Sequence, residues 1–187
     1  VNMREPLQGA DYILTYSKIR FNPLQPVEED IRIEDIAHAL SLTTRANGHF
    51  AYFYSVAQHC INCSREALAR GYSRRVQLGC LLHDASESYI SDLTRPVKRR
   101  LEAYSIFEEK LQNMIYGKFG LKYLDREELM QIEDVDDTLL HLEFKAIMGV
   151  TMFESAPESS VNHDFSQRDF AAVEKEFIDE FNKLVGK

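Results

Sequence analysis

The segment Leu81-Leu82-His83-Asp84-Ala85-Ser86-Glu87 sets three metal-ligating or proton-carrying side chains against the end of an apolar stretch. Burying an ionised aspartate there is costly unless it is paired or bound to a metal. On a helix, His83 and Glu87 stand four residues apart and Asp84 and Glu87 three apart, so all three crowd one edge. Taken alone, the segment also reads as a capped, solvent-facing helix end with a satisfied histidine. Two further segments shift that balance. His59 lies in Tyr54-Ser55-Val56-Ala57-Gln58-His59, and its neighbours Val56, Cys60 and Cys63 suggest an inward face. Asp136 and Asp137 interrupt the apolar pattern of Val135-Asp136-Asp137-Thr138-Leu139-Leu140. Three helices can therefore each aim a ligand at one point in a core. Histidine nitrogen with carboxylate oxygen suits one divalent ion (Mn, Co, Fe, Zn or Mg) and leaves positions open for water and substrate. Asp136 and Asp137 face different ways on a helix, so only one of them reaches such an ion.

The elements that must position these groups are mostly helical. Ile13–Tyr16 and Lys18–Phe21 could pair as a short hairpin. Asn22 to Pro26 is an extended connector, because each proline biases its predecessor away from helix. Ile33, Ile36, Ala37 and Leu40 predict a helix over Ile33–Leu42. Ser55 caps a helix from Val56 to about Arg70, and Ser73 caps one from Arg74 to about Tyr89 whose apolar density marks it as central. Pro96 opens a long helix through Ile115, ended by Gly117 or Gly120. Asp125 caps a helix from Arg126 to Val150, residues 151–165 form a loop, and a last helix spans 166–187 with Phe170, Val173, Phe177 and Phe181 on one face. The fold class is mainly α: a single-domain helical bundle over residues 1–187, with residues 1–30 as an N-terminal extension.

Composition narrows the function. The 187 residues carry a formal net charge of −8, which argues against a nucleic-acid polymer as partner, since that binding depends on basic side chains. A small anionic substrate remains compatible with a locally positive site. No apolar run is long enough to cross a bilayer, and Val1–Tyr12 lacks the apolar stretch of a secretory signal, so no membrane partner is expected. Three cysteines, Cys60, Cys63 and Cys80, are odd in number and without framework spacing, which points to a reducing, cytoplasmic setting. Cys60-x-x-Cys63 has no second pair to complete a zinc site and reads as packing cysteines. His38 and His141 read as core or boundary histidines, and His163 carries no assignment. The Phe-rich last helix could join two copies in a homodimer or pack on the core.

His59, then His83-Asp84, then a distal aspartate is the ligand order of the HD-domain metal-dependent phosphohydrolases, and the chain resembles that superfamily from Thr15 to Met152. His83-Asp84-Ala85-Ser86-Glu87 followed by Ser91-Asp92-Leu93-Thr94-Arg95-Pro96-Val97-Lys98 is similar to the bacterial 5′-deoxynucleotidase branch. Ile33-Glu34-Asp35-Ile36-Ala37-His38-Ala39-Leu40-Ser41, with Tyr54 to His59, is similar to HD hydrolases of phage and prophage genomes. The resemblance implies an HD-type fold and a single divalent metal on His59, His83, Asp84 and Asp136, the last preferred because it stands seven residues before Glu143. It implies proton handling by Glu87 and Asp92, and substrate contact by Arg45. That branch has a tryptophan after its arginine; this chain has Ala46 and no tryptophan, which puts a 2′-deoxy preference in doubt.

The function expected is hydrolysis of (deoxy)nucleoside 5′-monophosphates to nucleoside and phosphate, by direct transfer to a metal-activated water. Arg95 and Lys98 add positive charge for substrate binding, whereas Arg99 and Arg100 read better as a solvated helix start. His49 either reaches the phosphate or is a turn residue. Two alternatives stay open: hydrolysis of another nucleotide (a triphosphate, a dinucleotide or an alarmone), and a module that senses nucleotide without turnover.

Overall fold

A computed structural model describes residues 11–155 and 157–186. The reading of Val1–Tyr12 falls mainly on residues 1–10, outside the described residues. The chain is mainly helical, as its periodicity predicts. The elements in order are β1 (Ile13–Leu14), β2 (Arg20–Phe21), α1 (Ile33–Leu42), α2 (Val56–Ala69), α3 (Arg74–Leu82), α4 (Glu87–Ile90), α5 (Arg95–Lys98), α6 (Glu102–Lys118), α7 (Arg126–Met148) and α8 (Phe170–Val185). The hairpin is shorter than expected: only Ile13↔Phe21 and Leu14↔Arg20 pair, antiparallel.

The main core collects the apolar faces of α1, α2, α3, α6 and α8, with Leu81, Leu82, Leu111, Ile115 and Phe177 fully buried. Each such side chain contributes roughly 1.5–3 kcal/mol relative to exposure. Phe21 also lies wholly inside it, so this part of the expected N-terminal extension belongs to the core. A second cluster, with Cys63, Cys80, Ile132, Val135 and Leu139, seals α2 and α3 against α7. Gly79 permits that approach: a Cβ there would stand 2.4 Å from Ile132 Cδ1. Of the Phe-rich face of α8, Val173, Phe177 and Phe181 are buried in the core, whereas Phe170 is 45% exposed.

Three helix boundaries differ from the sequence reading. The helix expected to reach Tyr89 ends at Leu82, and residues 83–86 form a tightened turn with Ala85 N–H donating to Leu82 O and Glu87 N–H to Asp84 O. Gln112 of α6 clamps this turn, accepting from Ser86 N–H at 3.1 Å and donating to Leu82 O at 2.7 Å. The long helix expected from Pro96 breaks at Leu101 (φ −114°, ψ 71°) into α5 and α6. Leu101, at the break, is 45% exposed, so no packing holds a continuous helix there. The last helix begins at Phe170, where Asp169 accepts from Ala172 N–H, and not at Ser166.

Candidate metal centre

The α2 cap places the first donor. Ser55 accepts the Gln58 N–H and starts a helix whose first turns face inward, leaving His59 fully buried. Its Nδ1 lies 2.6 Å from Glu143 Oε1, a buried carboxylate that can only accept, so the proton sits on Nδ1 and the Nε2 lone pair points into the core. His83, at the end of α3, is fixed the same way: Nδ1–H donates to Cys80 O at 2.8 Å, freeing Nε2. The clamped turn brings Asp84 alongside. The capping box of Asp125 and Glu128 opens α7, which delivers Asp136 and, two turns on along the same face, Glu143.

The four donors converge. His59 Nε2 is 3.2 Å from His83 Nε2, 3.0 Å from Asp136 Oδ1 and 4.0 Å from Asp84 Oδ2. His83 Nε2 is 3.3 Å from Asp84 Oδ2 and 3.6 Å from Asp136 Oδ1. Donors held about 2.1 Å from a shared cation stand roughly 3.0–3.5 Å from each other. Two nitrogen lone pairs facing each other beside two carboxylates repel unless a cation lies among them. The donor set therefore fits a metal ion, with a carboxylate behind His59 and a carbonyl behind His83 setting each ring's tautomer and orientation. Asp136, not Asp137, faces this point; Asp137 is turned outward and pairs with Arg95 at 3.1 Å.

The cysteines stand closer to this centre than packing residues need to. His59, Cys63 and His83, and likewise Cys60, His83 and Asp84, bring ligand atoms within 4.8 Å of one another. Yet Cys63 Sγ lies 3.4 Å from His59 Nε2 and 3.9 Å from Nδ1, against the ring and off the lone-pair axis. Burial raises the thiol of Cys60 to about 11 and that of Cys80 to about 12, and pushes Cys63 well up, so all three favour the neutral form.

Charge is concentrated here. Burial and the Arg45 charge push His59 down, but Glu143 and Asp136 outweigh them and its pKa rises. Burial also opposes the charged form of His83, yet the Asp84 carboxylate holds it well above the ordinary imidazole range. Despite burial, Asp136 is held well below the usual carboxylate range, because with no metal bound the imidazolium forms of His59 and His83 donate to it through Nε2; a metal ion on the two Nε2 atoms would take the place of those protons. Arg45 stays charged in spite of burial, because Glu143, Asp84 and Asp136 surround it. Its NH1 is 3.4 Å from Asp84 Oδ2 and its NH2 3.4 Å from Glu143 Oε2. Arg45 N–H donates to Tyr54 O at 2.9 Å, and the next two residues, Ala46 (φ 51°) and Asn47 (φ 52°), sit in the left-handed region. Non-glycine residues hold such conformations at a cost of order 1–3 kcal/mol, and they gather at functional sites.

A cleft of about 360 Å³ opens onto the centre. Its polar wall carries Arg45, Asp84, Glu87, Asp92, Lys98 and Asp136. Its apolar wall carries Ala46, Phe50, Leu93, Leu140, Phe144 and Met152. Glu87 is buried and its Oε2 has no hydrogen-bond partner; burial, then the charges of Asp84 and Asp92, hold its carboxyl well above the usual range. Asp92 follows Ser91, which has φ 64°, and lies 3.8 Å from Lys98 Nζ. Arg95 stands at the rim, 3.5 Å from Asp136 Oδ2. Arg99 and Arg100 are exposed.

Most expected site residues thus share one cleft. His49 does not: it is exposed, ends the turn that carries Arg45, and lies off the cleft walls. His163, unassigned from sequence, is buried against Glu66 at 2.9 Å, where it ties the 151–165 loop to α2. The sequence reading used Glu143 only as a register mark for Asp136. Its seven-residue spacing from Asp136 on an apolar helix face was the available signal that it, too, points inward.

Fold and cleft together define a helical protein with a buried histidine–aspartate cluster able to hold a metal ion. By sequence, the chain belongs to one family with the uncharacterized protein RCAP_rcc00048 of Rhodobacter capsulatus, to which it is 34% identical over 143 residues, 73% of this chain and 72% of that protein. It is also similar to the uncharacterized protein YfdR of Escherichia coli K12, 39% identical over 110 residues, 59% of each chain. No protein-family model matches the chain.

Proposed function

We propose that the protein is a metal-dependent phosphohydrolase of the HD type, acting on nucleoside 5′-monophosphates in the cytoplasm. The observation that carries this reading is the convergence of His59, His83, Asp84 and Asp136, from α2, the α3 end and α7, on one point beside an open cleft. A divalent ion bound there would supply Lewis acidity toward a phosphoryl oxygen and acidify water.

The chain's own groups account for the remaining chemistry. Arg45 keeps N–H donors beyond those facing Asp84 and Glu143, and these can hold the phosphate by paired hydrogen bonds. Asp92, restrained by Lys98, orients the attacking water opposite the leaving 5′-oxygen and takes up the proton that the water loses. Glu87, buried with a free Oε2, carries the proton that the leaving alkoxide takes up. Water oxygen bonds to phosphorus as the bond from phosphorus to the 5′-oxygen breaks, so phosphate and nucleoside are the products. The apolar wall of Phe50, Leu140, Phe144 and Met152 suits the nucleoside.

A nucleotide sensor needs no proton-transfer groups, and the placement of both Glu87 and Asp92 on the cleft supports turnover. The test is phosphate release from nucleoside mono-, di- and triphosphates by chelator-stripped protein supplied with Mn or Co. Phosphate from monophosphates, absent in Asp84→Ala, is expected. Pyrophosphate from triphosphates, with monophosphates inert, would replace the substrate; no release from any of them would remove the enzyme reading.

A further inference from the structure

We infer that the cleft continues into a second anion groove, so that the favoured substrate carries a second phosphoryl group besides the one hydrolysed. This rests on the phosphohydrolase reading and shifts its substrate class from a bare nucleoside 5′-monophosphate to a nucleotide that carries a further phosphoryl group. Arg95, Lys98 and Arg99 fall at i, i+3 and i+4 on α5 and its helical C-cap, hence on one face. With Ser105 they line a groove of about 260 Å³. Arg95 and Lys98 also line the main cleft, so the two cavities share a wall.

The charge balance of that wall decides what it binds. Arg95 is paired with Asp136 and Asp137, and Lys98 with Glu108 at 2.7 Å and Asp92 at 3.8 Å. Those two cations are already neutralised by the acids beside them. Arg99 and its neighbour Arg100 have no acidic partner among the described residues, so the groove carries uncompensated positive charge in a chain of net charge −8. Arg99 offers a planar fork of donors and Ser105 a hydroxyl, the groups that recognise phosphate oxygens. Arg95, reaching from this face to Asp136 Oδ2 at 3.5 Å, places the groove directly beside the metal centre. A single compact substrate can therefore span both. The second phosphoryl group can sit elsewhere on the same nucleoside or in a phosphate chain.

The test compares 5′-AMP, adenosine 3′,5′-bisphosphate and ADP. Dissociation constants are measured by calorimetry on metal-stripped protein, and phosphate release on metal-loaded protein, for wild type and Arg99→Gln. Expected is binding of the bisphosphate or of ADP on the order of tenfold tighter than AMP, the effect of one charge-assisted hydrogen bond. Whichever is preferred locates the second group on the sugar or in the chain. Arg99→Gln should reduce that preference to below about threefold and leave AMP unchanged within about twofold. Equal binding of all three probes would overturn the groove, as would a preference that survives Arg99→Gln, or a loss shared equally by AMP. Failure of the underlying reading looks different: the binding preference and its Arg99 dependence persist, but no phosphate is released from any probe.

Discussion

Glu143 offers the sharpest test of the metal centre, because it is fully buried off the cleft walls and acts only through its neighbours. Its Oε1 receives His59 Nδ1–H at 2.6 Å, and its Oε2 stands 3.4 Å from Arg45. Glu143→Gln keeps the shape and removes the charge. A hydrogen bond to a charged group contributes about 1.5–3 kcal/mol and a neutral one about 0.5–1.5, so the change weakens the hold on His59 by about 1–1.5 kcal/mol. That corresponds to about a tenfold loss of metal affinity. An amide N–H₂ turned toward the Arg45 guanidinium adds repulsion, which moves the loss toward the hundredfold limit seen for groups that orient a metal ligand. The assay is calorimetric titration of metal-free protein with Mn²⁺ or Co²⁺, with a thermal melt to establish that the variant is folded. A folded Glu143→Gln that binds metal within about threefold of wild type would refute the reasoning, since His59 would then need no carboxylate behind it.

Three further outcomes are expected. Asp136→Asn should abolish measurable metal binding in the same titration while Asp137→Asn leaves it within about twofold, because only Asp136 faces His59 and His83; equal losses would mean the face of α7 is misassigned. Glu87→Gln should retain the metal and lower kcat by about 10²–10⁴-fold, the usual contribution of a proton-transfer group, and loss of metal would instead make it a ligand. Glu66 is held down from 4.5 to about 2: burial opposes this, but Arg70, the Ser160 N–H and His163 outweigh it. Because its folded pKa is depressed, its contribution to stability is complete above pH 4.5 and lost as the pH falls through about 2. Melting temperatures from pH 7 to 2 should fall more steeply below pH 4.5 for wild type than for Glu66→Gln, which should start lower; parallel curves would show that this carboxylate does not anchor the 151–165 loop.

The helices were legible because apolar spacing and caps are local. Ser55, Ser73 and Asp125 mark the starts of α2, α3 and α7, and each accepts the backbone N–H that its position calls for. The chemistry-bearing types were legible too, since His59, His83, Asp84 and an acid near residue 136 interrupt otherwise apolar faces. Where the helices end was not. Nothing within residues 83–86 announces the break after Leu82; Gln112, 26 residues beyond Ser86, holds that turn. Leu101 falls within the predicted long helix, yet it finds no partner surface, and that helix is two.

Sequence by itself determined the helical class, the order of the donors and their separation onto three segments, because periodicity and residue chemistry are properties of neighbours along the chain. Only the tertiary structure decided that Asp136 rather than Asp137 faces the histidines, that Glu143 orients His59, that His49 stands outside the cleft and that His163 lies buried against Glu66. Those outcomes depend on which atoms from distant segments share a few ångströms of desolvated space, and burial with its hydrogen-bond partners is settled by packing, not by position in the chain.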